Sequence, residues 1–248
     1  MSLLSIIILF CDKDVQYLSQ ILADIRRYVH VSYEIILVDN RDNDKSELPI
    51  GKYKLTSKGY NVYQFEGRRM GLDLAQGKYV WYVDVDDAII NNIEESDFLK
   101  KGKADVIQFY TKDASMGHYI RPQTNHDKGL LYFGEGRLWG RFIKTATLKR
   151  LLRPIKRDII FMGYEDVFLL DLLNDNINFL EFIDKVIYEY KVDRSARREG
   201  FFTQEKFELL ETGIENLEYL ASFLKDPESF ISKVTIFREA LQSKIKNS

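Results

Sequence analysis

The chain reads as an α/β protein, with a mixed, mostly parallel sheet flanked by helices and a C-terminal helical hairpin. Three observations predict this. Apolar runs at residues 3–10 and 33–38 bracket an amphipathic stretch, and strand, helix and strand in such short compass make a right-handed βαβ unit. A third apolar run, residues 79–83, follows a turn at Gly77 and ends in Asp84-Val85-Asp86-Asp87. Beyond residue 200, apolar residues recur at spacings of three and four, the signature of packed helices. Residues 1–200 are therefore expected to form one domain and residues 201–248 a helical hairpin packed on it.

The first run is almost uninterrupted, as a central strand covered on both faces requires. Asp14 is placed to cap a helix reaching about Tyr28, with Leu18, Ile21, Leu22 and Ile25 on one face. The second strand ends at Asp39-Asn40, and a polar loop follows. Residues 46–61 give little signal, a third strand is expected at 61–65, and a short helix at 68–75 leads into the strand at 79–83. A helix near 94–101 and a strand at 105–109 come next. Periodicity is poor from 110 to 134, which suggests an excursion over one face. Helices are expected at 135–152 and 165–173, and a strand at 186–190. In the tail, Thr203 can cap a helix carrying Phe207, Leu210, Ile214, Leu217 and Leu220. Asp226-Pro227 places an N-cap before a proline at the first helical position of a second.

Bulk properties narrow the function. The 248 residues are 45% apolar and 30% charged, ordinary for a globular protein with a full core. A net charge of −2 is not that of a globally basic nucleic-acid binder, so no nucleic-acid partner is expected. One cysteine, Cys11, allows no internal disulfide and no cysteine-rich zinc site. His30, His118 and His126 are scattered without ligand spacing. No apolar run approaches a membrane span and none has the basic flank of a signal peptide, so a cytoplasmic location is expected. Peripheral contact with the inner face of a membrane stays open.

The richest stretch is the carboxylate group after the third apolar run. If the strand continues, Asp84 and Asp86 point to the same side, at the sheet edge where open α/β folds bind ligands. Carboxylates so close repel unless a cation or hydrogen-bond donors compensate. A hard divalent ion bridging to a diphosphate suits oxygen ligands. A solvated acidic turn is the competing reading.

The order of features resembles the family 2 glycosyltransferases of GT-A fold. The matching pieces are a strand ending in Val38-Asp39, Arg68 before Gly71, Ala75-Gln76-Gly77-Lys78-Tyr79 and Asp84-Val85-Asp86-Asp87. Further on come Leu138-Trp139-Gly140-Arg141-Phe142, Gly163-Tyr164-Glu165-Asp166-Val167-Phe168, and Tyr188-Glu189-Tyr190-Lys191 with Ser195. The resemblance covers roughly residues 3–198, in the family's order. It implies a Rossmann-like nucleotide-sugar transferase dependent on Mn2+ or Mg2+, moving a sugar from a nucleotide-diphosphate sugar, UDP-linked by preference, to a saccharide or lipid-linked acceptor. Surface polysaccharide or glycoconjugate synthesis is the setting it suggests. By the same resemblance, Asp166 is the general base with Glu165 beside it. Asp39, Arg68, Asp84 and the Cys11 loop contact the donor, Asp84 and Asp86 bind the metal, and Trp139 faces the acceptor.

Each residue also has a plainer reading: a turn cap for Asp39, a helix-start cap for Glu165 and Asp166, a surface ion pair for Arg68, and core packing for Trp139. Eight basic residues and no acidic one lie in 136–157, which would attract an anionic acceptor if they share a face, or simply solvate a helix.

The chain departs from the family's pattern in places. Phe10-Cys11-Asp12-Lys13 replaces its usual first loop, Arg69 stands where an Asn is usual, and no histidine lies near the C-terminal motif, leaving Asp193 as the substitute metal ligand. A catalytically inactive nucleotide- or partner-binding protein is the alternative. A sugar-phosphate nucleotidyltransferase is disfavoured, because residues 10–15 contain no glycine for a phosphate loop.

Overall fold

A computed structural model describes residues 2–42, 46–99, 104–114, 117–120, 123–125, 130–132, 138–156, 159, 165–191, 208 and 214–246. The parallel half of its main sheet is built from β1 (Leu4–Phe10), β2 (Tyr33–Asp39), β3 (Lys54–Ser57) and β4 (Tyr79–Asp84), in the order β3-β2-β1-β4. The second half adds β5 (Ala88–Ile89), β6 (Val106–Asp113), β10 (Arg141–Lys144) and β11 (Leu180–Tyr190). There β10 lies antiparallel between β4 and β6, β11 runs parallel to β6, and the short β5 closes the edge. The parallel ladders are the longer ones, so the sheet is mixed but mostly parallel.

Helices cover both faces. On one, α1 (Val15–Tyr28) buries Leu18, Ile21, Leu22 and Ile25 against Ile6, Ile8 and Trp81. On the other lie α2 (Tyr63–Leu74), α4 (Thr145–Leu152) and α5 (Glu165–Asn176), packed on Ile7, Val80 and Ile143. Between β5 and β6, α3 (Ser96–Leu99) is a single turn. The excursion after β6 contains β7 (His118–Ile120), which pairs with β6, and a separate ribbon of β8 (Gln123–Asn125) with β9 (Leu130–Tyr132).

The expected tail hairpin is present in α6 (Ile214–Ala221) and α7 (Pro227–Lys246). Asp226 caps the second helix, accepting the Ser229 N–H at 2.9 Å. Leu217, Leu220, Phe230 and Val234 join the core beneath α5, and Phe230 meets Phe168 edge-on at 6.0 Å. Thr203, Phe207 and Leu210 lie outside the described residues.

Three local expectations are corrected. The third strand is at 54–57 rather than 61–65, and Tyr63 instead opens α2. Val62 gives that helix no side-chain cap, and Tyr63 adopts φ 61°, so the usual start signals are missing. Residues 138–144 are a turn and strand β10, not the first half of a helix. Asp14 stands at the N-cap of α1, but its carboxylate turns back to Cys11 instead of capping.

Candidate active site

Strand register brings the donor-side candidates to one edge. Phe10 pairs with Asp39 and Leu9 with Asp84, so Cys11, Asp39 and Asp84 all stand at the C-terminal ends of adjacent parallel strands. Two glycines then let α2 lie directly on β1. A Cβ at Gly71 would come 2.4 Å from Ile7 Cγ2, and one at Gly67 2.6 Å from Leu9 Cδ1. That close approach delivers Arg68 to the strand ends.

Arg68 is the hub. Its side chain is 6% exposed, and Nη1 donates to Glu165 at 2.9 Å and to Asp166, while Nη2 lies 3.6 Å from Asp84. Glu165 and Asp166 begin α5, where the helix N-terminus favours negative charge. A sequence separation of 97 positions or more is thus closed on one guanidinium. Burial pushes the Asp166 carboxyl up to about 6 even though Arg68 pulls it down, and the neighbouring Glu165 adds to the rise. The Arg68 guanidinium stays charged, its pKa raised by the carboxylates around it against the effect of burial.

The carboxylate turn is anchored from behind. The strand ends at Asp84 and residues 85–87 turn, closed by Asp87 N–H on the Asp84 carbonyl at 3.3 Å. Strand alternation therefore does not carry Asp86 to the side of Asp84; the turn decides where it faces. Tyr188 of β11 is fully buried, accepts the Asp84 N–H at 3.0 Å and donates to Asp87 Oδ2 at 2.8 Å. The other Asp87 oxygen accepts the Lys191 N–H at 2.9 Å. Burial, with Asp84 nearby, pushes the Asp87 carboxyl up to about 8.

For a divalent cation, the donor set is hard oxygen. The Asp84 side chain is 33% exposed and Asp86 is half-buried. No group of three or more His, Cys, Asp or Glu side chains is gathered as a cage among the described residues. Two carboxylates with the remaining positions filled by phosphate oxygens and water is a coordination Mg2+ accepts, so the oxygen chemistry of Asp84 and Asp86 is compatible with such an ion. Asp193 lies outside the described residues, as do Ser195, Gly163 and Tyr164.

The remaining candidates are spread around this centre. Cys11 donates both its N–H and its thiol to Asp14 Oδ2 at 2.9 Å, and burial with that carboxylate pushes the thiol up to about 12. Asp39 is gripped by Arg41. Trp139 is 5% exposed, its ring stacked on Tyr188 at 5.5 Å and Tyr190 at 4.8 Å. In this state the indole packs in the core and offers a sugar little open face.

The described basic residues of this segment do not all lie exposed on one face. Arg141 is buried on the α5 side of the sheet, whereas Lys149 donates to the Ala75 carbonyl at 2.8 Å. Arg141 is the residue that sequence reasoning passed over. It pairs in register with buried Gln108, and its charge favours ionised Asp166. An arginine inside the apolar run Leu138-Trp139-Gly140-Arg141-Phe142-Ile143 was the available signal, since buried cations need a partner.

Comparison with known proteins bears on the family and the fold. The profile of Glycosyl transferase family 2 matches residues 5–162, more than half of the chain. Glycosyltransferase GlyG of Streptococcus pneumoniae serotype 4 is 27% identical over 123 residues, 45% of this chain and 41% of GlyG. The chain thus spans less than half the length of that relative. The crystal structure of S. aureus TarS 1–349 in complex with UDP-GlcNAc is similar with a TM-score of 0.63 at 18% identity, covering 90% of this chain and 66% of that one. The complex of TarS 1–349 with UDP gives 0.59 at 20% identity over 92% of this chain and 72% of that one. The fold is that of the TarS structures, and the chain belongs to glycosyl transferase family 2.

Proposed function

We propose that this chain is an inverting glycosyltransferase that moves a sugar from a nucleotide-diphosphate donor, UDP-linked by preference, to an acceptor hydroxyl. One observation carries the reading: Asp84, at the end of β4, and the Glu165–Asp166 pair, at the start of α5, converge on one buried cation, Arg68. Family membership and the nucleotide-sugar held by TarS support the donor class.

In the proposed reaction the acceptor oxygen attacks the anomeric carbon from the side opposite the diphosphate. Its proton passes to an Asp166 oxygen as the new C–O bond forms, and the bond to the diphosphate oxygen breaks with its electron pair. A single displacement inverts the configuration. Asp166 must exchange its contact with Arg68 for the acceptor hydroxyl, and Glu165 keeps the guanidinium in place at 2.9 Å. Asp84 and Asp86 would hold Mn2+ or Mg2+, which supplies charge neutralisation to the leaving diphosphate when bound. Asp87 and Tyr188 keep that turn from relaxing.

The acceptor we infer is a saccharide or lipid-linked saccharide, in surface polysaccharide or glycoconjugate synthesis, with peripheral contact at a membrane surface. No described helix is long and apolar enough to cross a membrane.

The test is calorimetric titration of UDP, GDP, CDP and TDP with and without Mn2+, followed by donor turnover. Asp166→Asn should abolish transfer and leave nucleotide affinity nearly unchanged. Asp86→Ala should weaken the Mn2+-dependent part of nucleotide binding. Turnover by Asp166→Asn removes that residue from its role. A folded protein that binds no nucleotide is instead a non-catalytic member of the family.

A further inference from the structure

The outer edge of the parallel half-sheet is β3, which among the described residues has β2 as its one neighbour. Large exposed apolar side chains gather along it. Of the seven found among the described residues, three lie between positions 50 and 60: Ile50 is 99% exposed, and Leu55 and Tyr60 are each 50% exposed. Exposed apolar residues scattered singly need no explanation, but three on one edge do. The turns on either side of the strand are held. Tyr53 donates its hydroxyl to the Pro49 carbonyl at 2.9 Å, closing the turn that carries Ile50. Gly59, at φ 79°, donates its N–H to Ser57 Oγ at 2.9 Å just before Tyr60. An edge already ordered loses little further freedom on contact.

The charge of this edge is of one sign. Residues 48–65 include Lys52, Lys54 and Lys58 and no Asp or Glu, in a chain whose net charge is −2. Lys54 is turned to Glu34 at 2.7 Å. Lys52 and Lys58 are exposed and make no ion pair among the described residues. Of the flanking acids, Glu66 is paired with Arg69 at 2.9 Å, which leaves Glu47 at the margin. Cations and apolar side chains therefore alternate along the edge as Ile50, Lys52, Leu55, Lys58 and Tyr60.

We propose that the β3 edge is the surface on which the chain rests against an anionic lipid bilayer. Ile50 and Tyr60 enter the boundary between headgroups and acyl chains, and Lys52 and Lys58 face the lipid anions. The inference rests on the peripheral membrane contact read above and names the residues that make it. Attachment of this kind draws on buried apolar area together with attraction to anionic headgroups. Tyrosine suits the interface, with an apolar ring and a wet hydroxyl. An acidic protein face would also match the lysines. A wholly exposed isoleucine at a turn tip suits instead a fluid acyl layer, which needs no pocket shaped to receive it. The position is useful as well. Ser57 pairs with Asp39, so the Tyr60 end of the edge lies beside the strand ends that carry Asp39 and Asp84. Three strand spacings separate β3 from β4, about 14 Å. A bilayer seated on this edge would lie close to the ligand side of the sheet.

The test is flotation of the full chain with vesicles of phosphatidylcholine alone or with about one-third phosphatidylglycerol, alongside thermal melts and nucleotide titration of every variant. The wild type should float with the anionic vesicles, far less with the neutral ones, and less as salt is raised. Lys52→Gln and Lys58→Gln should each weaken partition about fivefold, and Ile50→Ser about tenfold. Ile236→Ser, at a residue 64% exposed on α7, should leave partition unchanged. All four should melt and bind nucleotide as the wild type does. If the Ile50 and lysine variants float like the wild type, or if Ile236→Ser alone loses binding, the proposal is overturned while membrane contact through another face stands. A folded wild type that binds nucleotide but floats with no vesicle removes both this surface and the membrane contact, and leaves the donor reading intact. If the edge variants instead convert a dimer to a monomer in sedimentation, with no vesicle binding, β3 joins two copies and the proposal falls.

Discussion

Asp166, the proposed base, has its protonation set by opposing influences. Burial raises its pKa to about 6 from the ordinary 3.8, and Arg68 limits that rise. Between those two values the native state holds a proton the unfolded chain has released, so this residue's contribution to stability falls as pH rises through that window. Activity moves the other way. A base must be ionised, and kcat/KM is expected to climb as pH rises through about 6 and then level off, measured by initial rates across pH 4.5 to 8. An acid limb absent in that range would count against Asp166. At this scale the sequence was informative where types and spacing mattered: Asp84, Arg68, Glu165 and Asp166 do meet. It could not show that Arg68 engages both Glu165–Asp166 and Asp84, nor that Trp139 stacks on Tyr188 and Tyr190, because such contacts are made between distant segments.

Helix α2 owes its seat to missing side chains. With Gly71 replaced by alanine, the new methyl would meet Ile7 Cγ2 at 2.4 Å and Val38 Cγ2 at 3.1 Å. Overpacking of this kind costs about 1–3 kcal/mol, readable as a lower denaturation midpoint. Displacing α2 also draws Arg68 away from Asp84, so transfer should fall by more than the stability loss alone explains. Elements with continuous apolar runs, β1, β2 and β4, were legible because burial on both faces leaves only one composition. By contrast, β3 is an edge strand of sequence Lys-Leu-Thr-Ser, alternately half-buried and exposed, and carries no such pressure. The inserted β10 was misread because Thr145 begins a true helix immediately after it. A four-residue strand abutting a helix leaves no periodicity of its own.

The molecule behaves as one body if the tail is part of its core. Phe230 of α7 is fully buried and meets Phe168 of α5. Phe230→Ala should therefore cost about 3–5 kcal/mol and lower the melting temperature in a single transition. A separate, earlier transition would mean that the hairpin melts alone. Turnover should fall as well, since α5 carries Glu165 and Asp166 at its start. The long span between Arg68 and its acidic partners has a consequence for the growing chain. A ribosome releases α2, with its arginine, 97 residues before Glu165 emerges, and β4 before the strand that covers its free edge. A nascent chain at that stage holds an arginine without two of its three carboxylate partners and a sheet edge without its neighbour, so the centre is completed late. Synthesis halted short of α5 should leave a loose, chaperone-dependent intermediate, and an incomplete chain has little chance to hydrolyse donor wastefully.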